Sequence, residues 1–290
     1  VAQQAKAAAA KLAELLATPV SVPDQPGAVP PAALTGALRL EGVRFRYPGE
    51  RSWALDGVDL ALAPGESVAL VGRTGAGKST VVKLLARFYD PTEGRVTADG
   101  VALPALTASG YRRHLGLVPQ EAHLFSGTVF ANIAYGRPEA SEAEVEAAAR
   151  AVGAHDFVAS LPDGYATVVS ERGRSLSSGQ RQLLALARAR LVDPTVLLLD
   201  EATSNLDLAT EARVQAAMGA LSQGRTTVIV AHRLATAARA DRIVVLEAGR
   251  IAEEGTHTDL LARGGLYAAM WRAGDPETEP PGEDVLEPTG

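Results

Sequence analysis

The sequence has no cysteine. That excludes a disulfide framework, a zinc–thiolate site and a thiol nucleophile, and it fits a reducing compartment. It has no apolar run of the roughly 18–20 residues that a membrane helix requires. The Ala-rich start does not read as a signal peptide, because Lys6, Lys11 and Glu14 interrupt it. Basic charge is not in surplus: 28 basic residues face 34 acidic ones, for a net charge of −6. Six of the acids (Asp275, Glu277, Glu279, Glu283, Asp284 and Glu287) follow Arg272 with no basic residue among them, so the body is close to neutral. A neutral body lacks the basic face of a general nucleic-acid binder, and no nucleic-acid partner is expected. Lysine is scarce: Lys6, Lys11, Lys78 and Lys83 are the only ones in an otherwise Arg-rich chain. No internal repeat is visible. The first residue is Val1 rather than Met, which reads as a fragment or a processed chain.

The 290 residues, 47% of them apolar, are enough for one large domain or two modest ones. Residues 1–18 read as a helix, with Ala5, Ala8, Ala9, Leu12, Leu15 and Leu16 on one stripe. Residues 19–36 hold Pro19, Pro23, Pro26, Pro30 and Pro31 and read as an extended linker. From Ala37 the pattern alternates through Leu38, Leu40, Val43 and Phe45, with Gly42 as a bulge. Ser67–Val71, Leu115–Val118, Val196–Leu199, Thr227–Val230 and Ile243–Leu246 read as buried strands, and Arg250–Glu254 as a return strand. Apolar strands separated by helices predict an α/β fold with a parallel sheet covered on both faces. Ser141 with Glu144 forms a capping box ahead of a helix burying Val145, Ala148, Ala149 and Val152. Val214, Ala217, Met218 and Leu221 mark a later helix. Residues 121–190 show helical patterns and no clear strand, and are expected to be a helical insertion. Residues 273–290 are Pro- and acid-rich and expected to be disordered.

Three segments carry chemistry. Gly72, Arg73, Thr74, Gly75, Ala76, Gly77, Lys78, Ser79 and Thr80 follow an apolar strand and lead into a helix expected over Ser79–Arg87. That strand–loop–helix setting is the one in which glycines let successive backbone N–H groups face phosphate. The helix N-terminus adds positive potential. Lys78 supplies a point charge for the β- and γ-phosphates and Ser79 a hydroxyl for Mg²⁺. Next, Val196-Leu-Leu-Leu-Asp200-Glu201 is a buried strand ending in two carboxylates, at the end where an open parallel sheet presents its ligand crevice. Asp200 is placed to hold Mg²⁺ and Glu201 to orient or deprotonate the attacking water. Lastly, Leu176-Ser177-Ser178-Gly179-Gln180 precedes a helix with Leu183, Leu184, Leu186 and Leu191, and offers a second anion site at a helix N-terminus.

With these segments in this order, residues Ala37 to Arg272 resemble the nucleotide-binding domains of ABC transporters. Leu176–Gln180 matches the family signature LSGGQ, with Ser178 at its first glycine, a change that reduces backbone freedom there. The resemblance implies a P-loop NTPase fold with a RecA-like, mostly parallel core sheet, an antiparallel β subdomain and a helical subdomain at about 121–190. It assigns Gln120 to the Q-loop that senses Mg²⁺, His232 to the switch that contacts the γ-phosphate, Asp207 to the D-loop (with Asn205 where alanine is usual) and Tyr47 to adenine stacking. Glu171 resembles the exporter X-loop. Val118–Ile133 and Ala231-His232-Arg233-Leu234 resemble exporters more than importers, and the initial helix and linker resemble the end of an exporter's last membrane helix, or a connecting helix, running into its ATPase domain.

The implied partners are a second nucleotide-binding domain, in a homodimer or heterodimer, and transmembrane domains of the same transporter, at the cytoplasmic side of the membrane. Glu201, His232, Gln120 and Lys78 would act in hydrolysis. ATP would be held by Tyr47, Gly72–Thr80 and Gln120 of one domain, and by Ser177, Ser178, Gly179, Gln180 and Asp207 of the other. Mg²⁺ would be held by Ser79, Gln120 and Asp200. The competing classes are an ABC-type ATPase of a non-transport machine, which would normally carry a coiled-coil insertion or a second cassette, and a regulatory nucleotide-binding module, which would be expected to lack Glu201 or His232.

Overall fold

The computed structural model describes residues 6, 8–13, 22–170, 173, 175–200 and 207–274. The expectations for Glu171, Glu201 and Asn205, for Ala5, Leu15 and Leu16, and for the tail from residue 275 lie outside them. Residues 8–13 are helical and exposed, Leu12 included. Among the described residues no helix is long and apolar enough to cross a membrane.

The strands are β1 (Leu38–Phe45), β2 (Leu55–Leu62), β3 (Ser67–Val71), β4 (Glu93–Ala98), β5 (Val101–Ala102), β6 (Leu115–Val118), β7 (Gly127–Thr128), β8 (Val168–Val169), β9 (Val196–Asp200), β10 (Thr226–Val230), β11 (Arg242–Glu247) and β12 (Arg250–Gly255). The α-helices are α1 (Lys78–Leu85), α2 (Ala108–Arg112), α3 (Val129–Ile133), α4 (Glu142–Ala151), α5 (His155–Ala159), α6 (Ser178–Val192), α7 (Leu208–Ser222), α8 (Leu234–Ala237), α9 (His257–Arg263) and α10 (Leu266–Ala273). The central sheet runs β12-β11-β3-β10-β9-β6. All its pairings are parallel except β11 with β12. A second, antiparallel sheet runs β2-β1-β4-β5.

The two cores follow from the twofold alternation of strand side chains. Ala69, Val71, Leu197, Leu199, Ile243 and Val245 face the core that contains α4, α6 and α7. Val68, Leu70, Val196, Leu198, Val228 and Val230 face the core shared with α1 and the antiparallel sheet. Each central strand is therefore apolar on both faces, which is why it reads as a continuous run. Gly42 takes φ 54° at the bulge, where the β1–β2 register shifts between Leu40 and Val43. Opposite it, a Cβ at Gly94 would lie 2.5 Å from the carbonyl oxygens of Glu41 and Gly42, so only glycine lets the two strands close there.

One expectation is corrected and another gains detail. Residues 121–190 are mostly helical but contain the β7–β8 ladder, whose two-residue strands are too short to show alternation. The Pro-rich segment is extended but not loose from Val22 onward. Val29 bridges Leu106, and its N–H and C=O bond Ala105 and Thr107. Arg87, fully buried, bonds Asp24 at 3.1 Å, the Pro23 carbonyl at 3.0 Å and the Leu106 carbonyl at 2.7 Å. It also ends α1, in a left-handed conformation with φ 51°.

At the far end of the segment, Asp99 accepts from the Thr35 N–H at 2.6 Å, the Thr35 hydroxyl at 2.7 Å and the Ala37 N–H at 2.9 Å. Burial acts to raise its pKa, but these bonds outweigh burial and hold it below the ordinary value. A depressed folded-state pKa contributes stability above the unfolded value of about 4, lost as pH falls through the folded value. Asp99→Asn is expected to lower the urea midpoint at pH 6 and to converge with the unmodified chain near pH 2. A constant gap between the two at both pH values would remove Asp99 from this role.

Candidate functional site

Four chain segments leave the central sheet at the C-terminal ends of its parallel strands. Gly72 follows β3, Gln120 lies just beyond β6, Asp200 ends β9 and His232 lies just beyond β10. Parallel pairing puts Leu70 level with Val230, Val230 level with Asp200, and Val118 level with Leu199. The four groups thus share one rim, the position at which open α/β sheets bind ligands.

The loop after β3 is built by its glycines. Gly72 sits at φ 144°, and a Cβ there would lie 2.2 Å from the Leu246 carbonyl oxygen. Gly77 sits at φ 106°, and a Cβ there would meet Leu55 at 2.6 Å and the Ala54 carbonyl at 2.8 Å. Gly77 is also the N-cap of α1 and offers no side chain to it. The first turn of a helix has N–H groups that no intrahelical carbonyl can reach, so this end is a seat for an anion. Lys78 is 8% exposed, and its ammonium donates to the carbonyls of Gly72 and Arg73. It therefore closes the loop on itself from below. Ser79 is exposed on the same turn, while Thr80 is buried and its hydroxyl lies 3.1 Å from the Tyr47 hydroxyl. Tyr47 packs edge-on against Phe45 and Tyr89, which holds it beside α1.

At the end of β9, the Asp200 Oδ1 is buried and has no hydrogen-bond partner among the described residues. His232 Nε2 lies 3.9 Å from it. A buried carboxylate oxygen without a donor is costly unless a ligand meets it. Among the described residues no three His, Asp or Glu side chains converge as a metal cage. One carboxylate completed by substrate phosphates is how Mg²⁺ is usually bound, and Asp200 suits it.

The other expected half-site stands apart. Ser177 is the N-cap of α6 and shares a full capping box with Gln180: Ser177 Oγ accepts from the Gln180 N–H at 3.2 Å, and Gln180 Oε1 accepts from the Ser177 N–H at 2.9 Å. Leu176, Leu183 and Leu184 anchor this end in the core of α4, α6 and α7, whereas α1 is anchored in the other core. Ser178 is the first residue of α6, and neither it nor Gly179 has a positive φ. The backbone at this position therefore does not require glycine, because helical φ suits serine. Asp207 caps α7, accepting from the Thr210 N–H at 3.0 Å, and these contacts with Thr210 lower its pKa.

The sequence reading missed Lys83, which reaches the Tyr47 hydroxyl at 3.3 Å. The signal was the rarity of lysine, together with its position one helical turn beyond Ser79. Also unread were Phe125 and Tyr135, which stack at 4.2 Å on the surface of the helical segment with Arg188 against both rings.

The sequence matches the family model for the ABC transporter over residues 55–204. It is 53% identical over 271 residues to a multidrug efflux ATP-binding/permease protein of Mycobacterium bovis, which spans 93% of this chain and 22% of that protein. It is 49% identical over 268 residues to an ATP-dependent lipid A-core flippase of Chromohalobacter salexigens, across 92% of this chain and 46% of the flippase. Among solved structures, a bacterial Atm1-family ABC exporter with ATP bound aligns with a TM-score of 0.86 and 45% identity, covering 96% of this chain and 48% of that one. The chain thus spans less than half the length of each of these relatives.

Proposed function

The chain belongs to the ABC transporter family, and from that premise we propose that it is the ATP-binding and ATP-hydrolysing domain of an exporter. The observation that carries this reading is the rim where the Gly72–Thr80 loop, Gln120, Asp200 and His232 meet, with Asp200 Oδ1 buried and without a hydrogen-bond partner among the described residues. ATP binds with its phosphates on the N-terminus of α1 and beside Lys78, and with its base against Tyr47. Mg²⁺ would be held by Ser79 and Asp200, with Gln120 near it, and supplies charge neutralisation on the phosphate oxygens. Glu201, next in sequence to Asp200, orients the attacking water, and His232 fixes the γ-phosphate. Most of the rate enhancement in phosphoryl transfer is positioning and charge stabilisation, which is what these residues offer.

The separate anchoring of Ser177–Gln180 supports a head-to-tail dimer, in which that helix end caps the ATP held by the partner's Lys78. ATP then acts as the adhesive, and ADP lacks the group that the second subunit reads. Residues 37–272 are the nucleotide-binding unit. The segment before them leads to transmembrane domains. Alternation between the two nucleotide states biases those domains between inward- and outward-facing forms through differential binding.

The test is the solution mass of Glu201→Gln, chosen to keep bound ATP uncleaved. A shift from monomer to dimer on adding Mg-ATP, and not Mg-ADP, is expected. Retained ATP binding without dimerisation would mean either that the partner is a different chain or that transmembrane domains must hold the two halves together. Loss of ATP binding with a native far-UV spectrum would overturn the reading itself.

A further inference from the structure

Lys83 and Lys78 are the only lysines between residues 37 and 272, a stretch otherwise served by arginine. Both lie on α1, and Lys83 falls three residues beyond Thr80 on the same face of the helix. Lys83 is half-buried, and its ammonium lies 3.3 Å from the Tyr47 hydroxyl and 5.1 Å from the ring centroid, so it is engaged on the oxygen end of the ring. An ammonium can only donate, so the Tyr47 oxygen is the acceptor in that bond. The phenolic proton is then free to point at Thr80 Oγ1, 3.1 Å away. The ring is therefore held at its oxygen by two consecutive turns of the phosphate-binding helix and along its sides by Phe45 and Tyr89, at 82° and 88°.

This arrangement links two subsites that are separate in sequence. The helix that receives the phosphates also fixes the tilt of the aromatic ring offered to the base. We propose that Lys83 is a positioning residue for adenine recognition: it sets the orientation of Tyr47 and so adds to the affinity for a whole nucleotide without touching the phosphates. The inference rests on the reading of Tyr47 as the base-stacking residue. It assigns selectivity for a nucleoside triphosphate over a bare triphosphate to the Lys83–Tyr47–Thr80 chain. A compact point charge suits a single hydroxyl acceptor, whereas the planar fork of arginine suits carboxylates and phosphates, and that accounts for lysine here.

The experiment compares the dissociation constants of Mg-ATP and of inorganic Mg-tripolyphosphate by calorimetry on the full chain. For Lys83→Met, the constant for ATP is expected to rise about fivefold, as for loss of a charged contact to an aromatic hydroxyl, while that for tripolyphosphate stays within about twofold. In a Tyr47→Ala background, Lys83→Met is expected to change neither, because its effect runs through the ring. Equal weakening of both ligands by Lys83→Met would overturn the proposal, since Lys83 would then serve the phosphates or the helix itself. So would an unchanged ATP constant. If Tyr47→Ala leaves the ratio of the two constants at its original value, the base-stacking reading fails and this inference with it. If Tyr47→Ala collapses the ratio and Lys83→Met does not move it, only the inference fails.

Discussion

Replacing Lys78 with methionine is expected to lower ATP turnover about 10³-fold, the effect of removing one preorganised charged donor from a developing phosphoryl charge. It is also expected to weaken Mg-ATP binding and to lower the stability of the apo protein modestly, because the Gly72 and Arg73 carbonyls lose their donor. The two halves of this prediction have one cause. In the structure the ammonium is buried and donates to the carbonyls of Gly72 and Arg73. The same ammonium holds the loop closed and supplies the charge offered to the phosphates, so its loss removes both. Steady-state turnover, ATP calorimetry and a thermal melt on one preparation check all three readouts. Normal turnover would remove Lys78 from the phosphate site. A large drop in melting temperature would mean that the loss of activity comes from a collapsed loop. Lys78→Arg is not expected to restore turnover, because a planar guanidinium does not reproduce the compact point charge of the ammonium.

Arg87→Ala is expected to destabilise the chain by about 3 kcal/mol, the largest effect foreseen for a residue remote from the rim. The guanidinium is fully buried and joins three parts of the chain: the Pro23–Asp24 segment, the Leu106 carbonyl and Asp90. Its acidic partners are each more than a third exposed at the side chain, so screening takes much of the Coulomb contribution. What remains is the stranding of two carbonyl oxygens and a cavity at the end of α1. Arg112 and Tyr111 close the same end, donating to the carbonyls of Arg87 and Leu85, and burial pushes the Tyr111 hydroxyl pKa far up. Urea unfolding is the measurement, with hydrogen exchange over residues 22–36 as its local companion. The exchange rates of those amides are expected to rise. A loss below about 1 kcal/mol would mean that the segment is held by its backbone bonds alone.

How much of this was legible beforehand differs by element. The strands Ser67–Val71 and Leu115–Val118 coincide with β3 and β6, because a strand buried on both faces is written as an unbroken apolar run. The Ser141–Glu144 box was readable because a cap is local chemistry, and both of its bonds are present. β4 was not read: only Val96, Thr97 and Ala98 are buried in Glu93–Ala98, and the strand exists because β1 offers it an edge. β2 carried a readable alternation in Val58, Leu60 and Leu62, hidden by the Gly57 turn signal at φ 75°. The rim residues could be named from sequence, since Gly72–Thr80 and Asp200 are set by short motifs. Their mutual placement could not, because the parallel register that sets Val230 beside Asp200 joins strands from distant parts of the chain. Nor was the Arg87 clamp legible: a proline-rich run reads as a linker whether or not an arginine 63 residues on takes hold of it.

The reciprocal cap of Ser177 and Gln180 has a consequence for what that helix end can greet. Each side chain has spent an acceptor oxygen inward, on the other's backbone N–H. What each still presents outward is hydrogen: the hydroxyl proton of serine and the amide protons of glutamine. The outward vocabulary of the tip is biased to giving and is poor in taking. Such a tip greets oxyanions and is indifferent to ammonium groups or amide hydrogens, before any charged residue is counted. Ser178 adds another hydroxyl at the same tip, so the residue that departs from the usual signature leaves this bias in place.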